Sequence, residues 1–410
     1  MKKQNKLKIL NDPIYGFITI PSELIFDLIE HPYFQRLRRI TQMGLSHLVF
    51  PGAQHTRFMH ALGCMHLMHN ALQTLKLKGV EITDNEFEAT QIAILLHDIG
   101  HGPFSHALEN SIIEGFNHER LSIEIMDKLN EEFDGRLSLA IKIFKGQYHK
   151  GFLHQLIAGQ LDIDRLDYLK RDSFYTGVAE GNINSERIIA MLNVKDNQLV
   201  VEEKGIYSIE KFLISRRLMY WQVYLHKTGL GAEILLINIL KRAKELGKKG
   251  VDVSNHNDLD VFLDPKNTIN TNKHDLIEQF SKLDDYNIIS AIKNWQNHQD
   301  LILSRLCNML LNRNLYRVKL KNKAFSTKKT EDIKRRIQAR TKFTEEELNY
   351  FFISGTTSNQ AYNYDYQKIM ILYKNGKTKE ISQVSDQLNL KTLAQPVIKH
   401  YICYPKVGVH

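Results

Sequence analysis

The chain of 410 residues is long enough for one large domain with an appendage or for two domains. Hydrophobic residues make up 43% of it and charged residues 25%, as in ordinary folded proteins, and no apolar run approaches the roughly 18 residues that span a bilayer. A charged N-terminus without an apolar core and three scattered cysteines, which form no CxxC pair, favour the cytoplasm over export.

Charge and histidine content point towards anionic ligands. The formal charge of +9 favours nucleotides or nucleic acid as partners, although basicity alone does not choose between them. Ten of the eighteen histidines fall between His31 and His118. Any single one of them is usually an ordinary surface or core residue, but this density makes a metal or phosphate site worth seeking.

The N-terminal part of the chain is predicted to be mainly helical. Residues 1–20 favour a short extended segment, and a helix follows until Pro32 ends it. From Tyr33 to about Leu77 the pattern is again helical, with an interruption at LVFPGAQHT, where proline and glycine break the period.

Helical periodicity continues through the middle of the chain. The apolar run FEATQIAILLHD predicts a buried helix, and Gly100 lies where its C-cap would be. A further helical stretch opens at Pro103, and residues 118–133 and 152–171 are helical by period.

The second half of the chain mixes helices with short strands. Residues 193–209 predict a hairpin that turns at Asp196-Asn197, and a long helix covers roughly 208–246. The polar region 251–275 indicates loops between short helices. The runs NYFFIS and YQKIMILYKNG predict strands of a small α+β tail, and no internal repeat is present. The expected fold class is therefore mainly α.

The segment ILLHDIGHGPFSH carries the clearest chemical signal. Its apolar run predicts a buried helix with His97 and Asp98 at the C-terminal end, where adjacent side chains can converge even though neighbours along a helix point about 100° apart. One imidazole and one carboxylate leave a divalent ion short of ligands. His60 in HTRFMHALG and Asp164 in QLDIDRLDYLKRD are the candidates to complete the set, with Asp162 as an alternative to Asp164.

The order TRFMH, HDIGHGPFSH, HE and LDIDRLDY resembles the HD superfamily, and specifically its deoxynucleoside triphosphate triphosphohydrolase branch, which includes the sterile-alpha-motif/HD dNTPase and bacterial dGTPase-like enzymes. The likeness extends from NDPIYGFI to YLHK and returns at RNLYRV. A bare HD dipeptide is weak evidence, but this set in this order is strong. It implies an all-helical HD-domain core over residues 1–230 and a C-terminal helical and α+β region over residues 231–410, for oligomerisation or regulation.

Carried across position by position, the resemblance implies one divalent metal ion. Its ligands would be two imidazoles and two carboxylates: His60, His97, Asp98 and Asp164. Such a set tolerates Mg, Mn, Fe, Co, Ni or Zn, so the identity of the metal stays open. The ordinary alternative for His60 is a position on a helix surface.

The helix that carries Asp164 indicates a nucleoside site. Tyr168 and Asp172 follow at four and eight residues, so all three share one helical face. The resemblance assigns Tyr168 to the sugar ring, and Asp172 with Gln42 to the 3′ hydroxyl. The ordinary alternative makes Tyr168 a core residue and Asp172 a surface ion-pair partner of Arg171.

Cations and imidazoles near these positions suit a triphosphate. Arg57 lies one helical turn before His60, and Arg165 follows Asp164 where the family often has lysine. His101 adds an imidazole that can donate to phosphate, or alternatively caps the preceding helix.

The resemblance also implies the groups that transfer protons. His106 corresponds to the histidine proposed to protonate the leaving oxygen, Glu109 lies three residues further on and could orient it, and His118 is another imidazole beside them. Asp98 would act at the metal. Water activated there would attack the α-phosphorus of a dNTP, dGTP among them, and the products would be deoxynucleoside and inorganic triphosphate.

Two other functions fit parts of the sequence. An HD-type phosphodiesterase or nuclease acting on single-stranded nucleic acid would use the ten Lys or Arg residues between Lys319 and Lys342, although a solvated helix face is the usual explanation of such a run. A nucleotide-sensing module without catalysis is the third hypothesis, and the complete ligand and phosphate-binding sets argue against it.

Regulation is implied by the resemblance alone. In relatives an activating nucleotide lies between subunits, so the chain is expected to form a homo-oligomer, either a dimer or a tetramer. The base would be read by Glu30, Gln35 and Arg38, and the phosphates by Arg313 and Arg317. The ordinary alternative for EHPYFQRLRR is an amphipathic helix with solvated arginines, and the two weigh about equally.

Overall fold

The computed structural model describes residues 8–104, 107, 111, 118–263, 273–341, 343–360, 362–363, 367–386 and 395–406. Helices dominate these residues, as the sequence predicted. They are α1 (Glu23–Glu30), α2 (Pro32–Gln35), α3 (Arg57–Leu77), α4 (Asp84–Leu95), α5 (His118–Glu132), α6 (Ser138–Phe144), α7 (Gly151–Ile157), α8 (Ile163–Thr176), α9 (Ser185–Ala190), α10 (Ile206–Met219), α11 (Lys227–Lys248), α12 (Asp260–Leu263), α13 (Lys273–Phe280), α14 (Asp285–Trp295), α15 (Leu301–Leu311), α16 (Thr327–Thr341), α17 (Glu345–Phe351) and α18 (Ile381–Val384).

Short strands form three small sheets among the described residues. They are β1 (Ile9–Asp12), β2 (Gly16–Thr19), β3 (Leu192–Lys195), β4 (Gln198–Glu202), β5 (Arg317–Lys321), β6 (Ile353–Asn359), β7 (Met370–Leu372), β8 (Thr378–Glu380) and β9 (Val397–Tyr404). The sheet orders are β1-β2, β3-β4-β7-β8 and β5-β9-β6, and the pairs are antiparallel except for β4 with β7. The mainly α fold with a small α+β tail is confirmed.

Helix starts follow the capping signals of the sequence. The Ser22 hydroxyl accepts a hydrogen bond from the Ile25 N–H at the start of α1. Thr83 and Glu86 form a reciprocal capping box at the start of α4. The predicted hairpin consists of β3 and β4, and Asp196 and Asn197 turn the chain between them with φ of 50° and 61°. It ends at Glu202, so the predicted end at 209 was wrong, because α10 begins at Ile206.

Two predicted helices are shorter than expected. Within Tyr33–Leu77, residues 36–39 and 44–48 form 3₁₀ turns, and the chain folds back so that Thr41 bridges Thr56 immediately before α3 begins. The predicted helix over 152–171 is divided into α7 and α8, because Asp162 leaves helical geometry to cap α8.

The prediction of one continuous helix over 208–246 was wrong, because three segments occupy this region. It consists of α10, a π-helical turn over Tyr220–Tyr224, and α11, whose N-terminus the His226 side chain caps. The extra residue of a π turn breaks the hydrogen-bond ladder, which permits the observed bend. In the tail, NYFFIS is helical through Phe351 before β6 begins, and the second predicted strand contracts to β7.

One large hydrophobic core connects both predicted parts of the chain. It extends from Ile18 to Cys403 and includes residues of α3, α4, α8, α11 and the tail. Residue 230 lies inside α11, and the division at 230 and 231 stays a prediction. Among the described residues no single helix is long and apolar enough to cross a bilayer; Glu203–Tyr224 and Lys227–Lys248 meet that test only jointly and are bent by 57°.

Candidate metal centre and active site

The four predicted ligands converge from three separate parts of the fold. His60 lies in the first turns of α3, His97 and Asp98 lie in the turn after α4, and Asp164 lies in the first turn of α8. The Asp164 Oδ1 atom is 3.1 Å from His60 Nε2 and 3.6 Å from His97 Nε2. Asp98 Oδ1 is 3.4 Å from His97 Nε2, and Asp98 Oδ2 is 3.8 Å from His60 Nε2.

Asp162, the alternative to Asp164, has a different position. Its carboxylate accepts hydrogen bonds from the backbone N–H groups of Gly159 and Arg165, at 2.9 Å and 2.8 Å, as the N-cap of α8. It is therefore engaged by the backbone, whereas Asp164 faces His60 and His97.

The donor set fits a divalent cation. The Nε2 atom of His97 is buried and has no hydrogen-bond partner. Ligand atoms of His60, Cys64, His97 and Asp164 all lie within 4.8 Å of one another. Two imidazoles with carboxylate oxygen suit several first-row divalent metals. The described residues therefore include a cluster able to hold a metal ion.

Cys64 was not predicted in this cluster. It lies one turn after His60 on α3, and its Sγ is 3.6 Å from both imidazole nitrogens of His60. Burial raises the pKa of the Cys64 thiol well above its usual range, which disfavours the thiolate that binds metals. Asp98 lies outside that group of four, but its carboxylate oxygens are 3.4 Å from His97 Nε2 and 3.8 Å from His60 Nε2, so it can supply a further oxygen ligand. The charges of His97, Arg57 and His101 outweigh burial and hold the pKa of its carboxyl well below the usual value.

The histidine rings are oriented by hydrogen bonds at their far nitrogens. His60 Nδ1 donates to Asp167 Oδ2 at 2.7 Å, and His97 Nδ1 donates to the Ile94 carbonyl at 2.6 Å. Each bond directs Nε2 at Asp164, and in a neutral ring it makes Nε2 the unprotonated nitrogen that a metal ion would bind. Sequence reasoning missed Asp167, although it lies one turn after Asp164 on the same helix.

Asp167 is part of a buried ion network. Arg171 donates to both Asp167 oxygens at 2.9 Å and 3.0 Å, and to Asp12 Oδ2 of β1 at 2.8 Å. The ordinary alternative that paired Arg171 with Asp172 is therefore wrong. Asp172 is 2% exposed and accepts from His55 Nε2 and from the Tyr224 hydroxyl, both at 2.7 Å.

The turn that carries His97 and Asp98 is held against α5. The Ser122 hydroxyl donates to the His97 carbonyl at 2.8 Å and accepts from the Gly100 N–H at 3.0 Å. A Cβ on Gly100 would lie 2.3 Å from the His118 carbonyl oxygen. Glycine is thus required at position 100 because the chain passes close to α5 there. The predicted C-cap position of Gly100 was wrong, since the C-cap of α4 is Leu96.

Two more predicted groups surround Asp98. Arg57 forms an ion pair with Asp98 Oδ2 at 2.5 Å, and His101 Nε2 lies 3.2 Å from Asp98 Oδ1. The His101 ring stacks on His118 at 4.0 Å. Burial and the charge of Arg57 lower the pKa of His101 to about 3, so its ring is neutral at physiological pH. The predicted His106 and Glu109 lie outside the described residues.

A cavity of about 700 Å³ adjoins the cluster at Arg57. Its wall includes Gln42, Tyr168 and Asp172, which were predicted to bind the nucleoside. The Tyr168 ring packs edge-on against Tyr224 at 6.0 Å and also faces the cavity, so it is more than a core residue. Arg165, by contrast, pairs with Asp162 at 3.4 Å and does not line this cavity. Residues of β6 and β9 close one side of the cavity, and sequence reasoning missed this contribution.

The residues predicted to bind a regulatory nucleotide lie elsewhere. Arg38 donates to Gln35 Oε1 at 2.8 Å and stacks over the Phe58 ring. Arg313 donates to the Leu48 carbonyl at 2.8 Å. Their regulatory role stays a prediction, as do those of two exposed residues on α1 and β5: Glu30 and Arg317.

Two histidines and two aspartates lie together on a helical frame beside this cavity, an arrangement typical of phosphohydrolases of the HD type. Comparison with known families agrees: the HD domain matches residues 57–172, and an HD-associated region matches residues 183–275.

Individual relatives extend the match over nearly the whole chain. A phosphohydrolase of known crystal structure from Bacteroides thetaiotaomicron is 50% identical, with a TM-score of 0.93 over 98% of this chain and 100% of that one. The uncharacterized protein YwfO of Bacillus subtilis is 32% identical over 93% of this chain and 89% of that protein. The chain therefore belongs to the HD superfamily of phosphohydrolases.

Relatives named as dNTP triphosphohydrolases match a smaller part of the chain. The SAMHD1 homolog of Dictyostelium discoideum, a deoxynucleoside triphosphate triphosphohydrolase, is 32% identical over 64% of this chain and 53% of its own length. SAMHD1 of Gallus gallus is 30% identical over 58% of this chain and 45% of its own length. The chain thus spans about half the length of these two enzymes.

Proposed function

We propose that this chain hydrolyses dNTPs, dGTP among them, to deoxynucleoside and inorganic triphosphate with one divalent ion. The observation that carries the proposal is the cavity that runs from Arg57, beside the metal cluster, to Tyr168 and Asp172. Its volume of about 700 Å³ suits a nucleotide. The similarity to named dNTP triphosphohydrolases supports the same substrate class.

Separate residues would bind the metal ion and the phosphates. His60, His97, Asp98 and Asp164 would hold the divalent ion, which when bound supplies Lewis acidity and an activated water. In the hydrolysis, the oxygen of a water molecule would bond to the α-phosphorus while the bond from that phosphorus to the 5′ oxygen breaks. Arg57 lies where it can bind phosphate oxygens and offset the charge that develops on them, and Arg165 is the second proposed phosphate ligand.

Proton transfer completes the reaction. His106 would give a proton to the 5′ oxygen as it leaves, with Glu109 to orient it. His118 stacks on His101, whose Nε2 lies 3.2 Å from Asp98 Oδ1. In the nucleoside site Tyr168 would pack against the sugar, while Asp172 and Gln42 bind its 3′ hydroxyl. The buried Gln42 Oε1 has no hydrogen-bond partner and lines this cavity.

The direct test is product analysis. Purified protein is incubated with each dNTP and with Mg²⁺ or Mn²⁺, and the products are separated by ion-exchange chromatography. Equal amounts of deoxynucleoside and triphosphate are expected; monophosphate with pyrophosphate would refute the assignment. Changing His97 and Asp98 to alanine should abolish turnover, whereas His149→Ala, at an exposed histidine outside the cluster, should not.

A second candidate is cleavage of single-stranded nucleic acid at the same metal site. It is favoured by α16 and β5, where Lys321 and Lys329 both lie over the Phe325 ring, at 5.3 Å and 5.7 Å. Clustered lysines of this kind attract phosphates. Binding of an oligonucleotide that weakens steeply with salt, together with cleavage that is lost on changing His97 and Asp98, would support this function over the first.

We further propose that a nucleotide activates the enzyme between subunits of a dimer or tetramer in the cytoplasm. Glu30, Gln35 and Arg38 would read its base, and Arg313 and Arg317 would bind its phosphates. The proposal requires that added GTP or another dNTP raises turnover of a second dNTP and increases the mass measured by light scattering. Turnover and mass that are indifferent to added nucleotide would contradict it.

A further inference from the structure

Asp285, the first residue of α14, is a buried carboxylate that contacts two distant parts of the chain. It is 6% exposed, and its Oδ1 atom accepts a hydrogen bond from the Phe104 N–H at 3.2 Å. Its Oδ2 atom accepts from the N–H and from the hydroxyl group of Thr41, at 2.9 Å and 2.7 Å. One side chain of the C-terminal region thus joins the segment after His97 and Asp98 to the segment before α3.

Both contacts of Asp285 belong to the wall of the cavity. Phe104 lines it, and so does Gln42, which follows Thr41 in the chain. The backbone of Phe104 has a φ of 49°, in the left-handed region that residues with a Cβ rarely adopt. Such a conformation persists only where its surroundings hold it, and the hydrogen bond to Asp285 is one such contact. Removing the carboxylate should therefore let this part of the wall move.

The backbone of Gln42 is held on both sides. Its own N–H donates to the His55 carbonyl at 2.9 Å, and the preceding residue, Thr41, is fixed by Asp285. The side-chain Oε1 of Gln42 is buried and has no hydrogen-bond partner, and the residue lines the cavity. Because hydrogen bonds weaken steeply when their atoms are misplaced, the backbone position of Gln42 decides whether its amide reaches a ligand hydroxyl.

The turn with the proposed metal ligands has supports of its own. Arg36 is 1% exposed and donates to the Ile99 carbonyl at 2.7 Å. The Ser122 hydroxyl donates to the His97 carbonyl at 2.8 Å. Neither contact involves the side chain of Asp285. Loss of this carboxylate should therefore disturb the cavity wall more than the metal cluster.

The three hydrogen bonds to Asp285 require a carboxylate. All three groups that contact it are donors, and an ionised carboxylate only accepts. Asparagine has one acceptor oxygen and an NH₂ group, so in either orientation of its amide an N–H would oppose a donor. Unpaired donors in a buried site are costly. Asp285→Asn therefore keeps the shape of the side chain and removes its contact with either Thr41 or Phe104.

We infer that Asp285 is a positioning residue of the sugar site, which places Gln42 for contact with the 3′ hydroxyl. The enzyme thereby distinguishes a dNTP from its 2′,3′-dideoxy counterpart, which lacks that hydroxyl. The inference rests on the proposed dNTP hydrolysis, in which Gln42 and Asp172 bind this group. It gives the C-terminal region a part in substrate selection through α14, which lies outside the residues matched to the HD domain and the HD-associated region.

The first experiment compares kcat/KM for dGTP with ddGTP, and for dTTP with ddTTP, in the unaltered protein and in Asp285→Asn. We expect the unaltered protein to favour each dNTP by roughly tenfold or more. In the variant this preference should fall by roughly 3- to 10-fold, the effect of one neutral hydrogen bond, through a loss for the dNTP alone. Equal losses for both kinds of substrate, or no preference in the unaltered protein, would overturn the inference.

Asp300→Asn is the matched control. Asp300 caps the next helix, α15, and pairs with Arg242 at 2.5 Å, but it does not line the cavity. Its change should leave the preference for the 3′ hydroxyl as it is in the unaltered protein. In a Gln42→Ala background, Asp285→Asn should cause no further change in this preference, because the residue through which it acts is gone. A further fall in that background would contradict positioning of Gln42.

Metal binding separates positioning from general damage to the fold. Titration with Mn²⁺ against a chelator should give an affinity within about twofold of the parent in Asp285→Asn, because the turn with His97 keeps its own supports. A loss of tenfold or more would contradict a role at the sugar site. If this variant does not fold, Thr41→Val removes one donor to Asp285 and should lower the preference by about twofold or more; an unchanged preference would refute the inference.

Failure of the inference and failure of the proposed function give different results. If no dNTP is hydrolysed to triphosphate, the proposed function fails; calorimetric binding of deoxyguanosine and 2′,3′-dideoxyguanosine then still tests the sugar site. Tighter binding of deoxyguanosine that Asp285→Asn weakens would uphold the inference, and equal binding of the two would end it. If dNTPs are hydrolysed but Asp285→Asn leaves the preference for the 3′ hydroxyl unchanged, the proposed function holds and the inference fails.

Discussion

At the scale of single residues, the site depends on side chains that orient the predicted ligands. Asp167 fixes the His60 ring so that Nε2 faces Asp164, and it is held in turn by Arg171. A carboxylate behind a metal-binding imidazole sets its tautomer and raises its basicity. The proposed role of His60 as a metal ligand would therefore depend on a residue outside the set of four proposed ligands.

Changing Asp167 to Asn should weaken metal binding by roughly 10- to 100-fold, because the amide lacks the charge that holds the His60 proton and pairs with Arg171. The measurement is competition titration with a chelator, supported by elemental analysis. Cys64→Ser is the control, since the buried thiol is neutral and is not expected to bind the ion. Metal loss in the Cys64 variant and retention in the Asp167 variant would reverse this assignment.

The sequence predicted the candidate ligands but not the residues that orient them, because the residues in contact are far apart along the chain. His60, His97, Asp98 and Asp164 belong to motifs with a recognisable order. The partners of Asp172 are 117 and 52 residues away in sequence, at His55 and Tyr224, so no local spacing reveals them. Asp167 did offer a local signal, one turn after Asp164.

At the scale of elements, close packing of α3 against α8 brings His60 to Asp164. Gly63 is what permits it: a Cβ there would lie 2.1 Å from Asp167 Oδ1 and 2.2 Å from an Arg171 guanidinium nitrogen. From the sequence alone, Gly63 is only a residue of low helix propensity inside a predicted helix. Its value depends on the buried ion network opposite, which tertiary contact alone reveals.

Gly63→Ala should destabilise the protein by about 3 kcal/mol, because the added methyl group must displace a buried ion pair. Gly229→Ala on α11 is the matched control, since a Cβ there meets no atom within 4 Å, and alanine should stabilise the helix by up to about 1 kcal/mol. Urea unfolding of both variants checks the pair. A Gly63 variant as stable as the parent would contradict the packing described for α3 and α8.

The start of α4 gives the fold a dependence on pH. Glu86 is 3% exposed, and hydrogen bonds from Lys150, Tyr148 and the Thr83 N–H outweigh burial and lower its pKa from 4.5 to about 2. A carboxyl whose pKa falls on folding stabilises the protein above pH 4.5 and loses this effect as the pH falls towards 2.

Glu86→Gln should therefore reduce the free energy of unfolding at pH 7, by on the order of 2 kcal/mol, and have much less effect near pH 2. Urea unfolding across this pH range measures the difference. Glu81→Gln, at an exposed neighbouring residue, serves as the control and should leave the pH dependence of stability unchanged. An equal effect of the Glu86 change at both ends of the range would contradict the cited pKa shift.

The division of the predicted long helix illustrates another limit of sequence reasoning. Residues 208–246 keep a helical period throughout, so their pattern shows no break. The π turn over Tyr220–Tyr224 and the bend after it bring the Tyr224 hydroxyl to Asp172 and the next helix, α11, to the cavity. The break in the helix therefore positions Tyr224 and α11 at the cavity, and the hydrophobic pattern of the sequence does not reveal it.

At the scale of the whole molecule, the HD core and the C-terminal region are joined more closely than the sequence indicates. They share one hydrophobic core, and β6 and β9 close the cavity that begins at Arg57. The mainly α class, the hairpin and the order of the ligands followed from local patterns and from resemblance. The contribution of Tyr401 in β9 to the cavity wall did not, because it lies far along the chain from the motifs that carry the resemblance.

The most direct test of the central claim is an anomalous diffraction map from crystals grown with Mn²⁺. We predict one strong peak bound by Nε2 of His60 and His97 and by carboxylate oxygens of Asp98 and Asp164, at about 2.0–2.3 Å. A peak located elsewhere, or a structure in which Asp164 turns away from His97 while Asp98 remains with Arg57 alone, would contradict it.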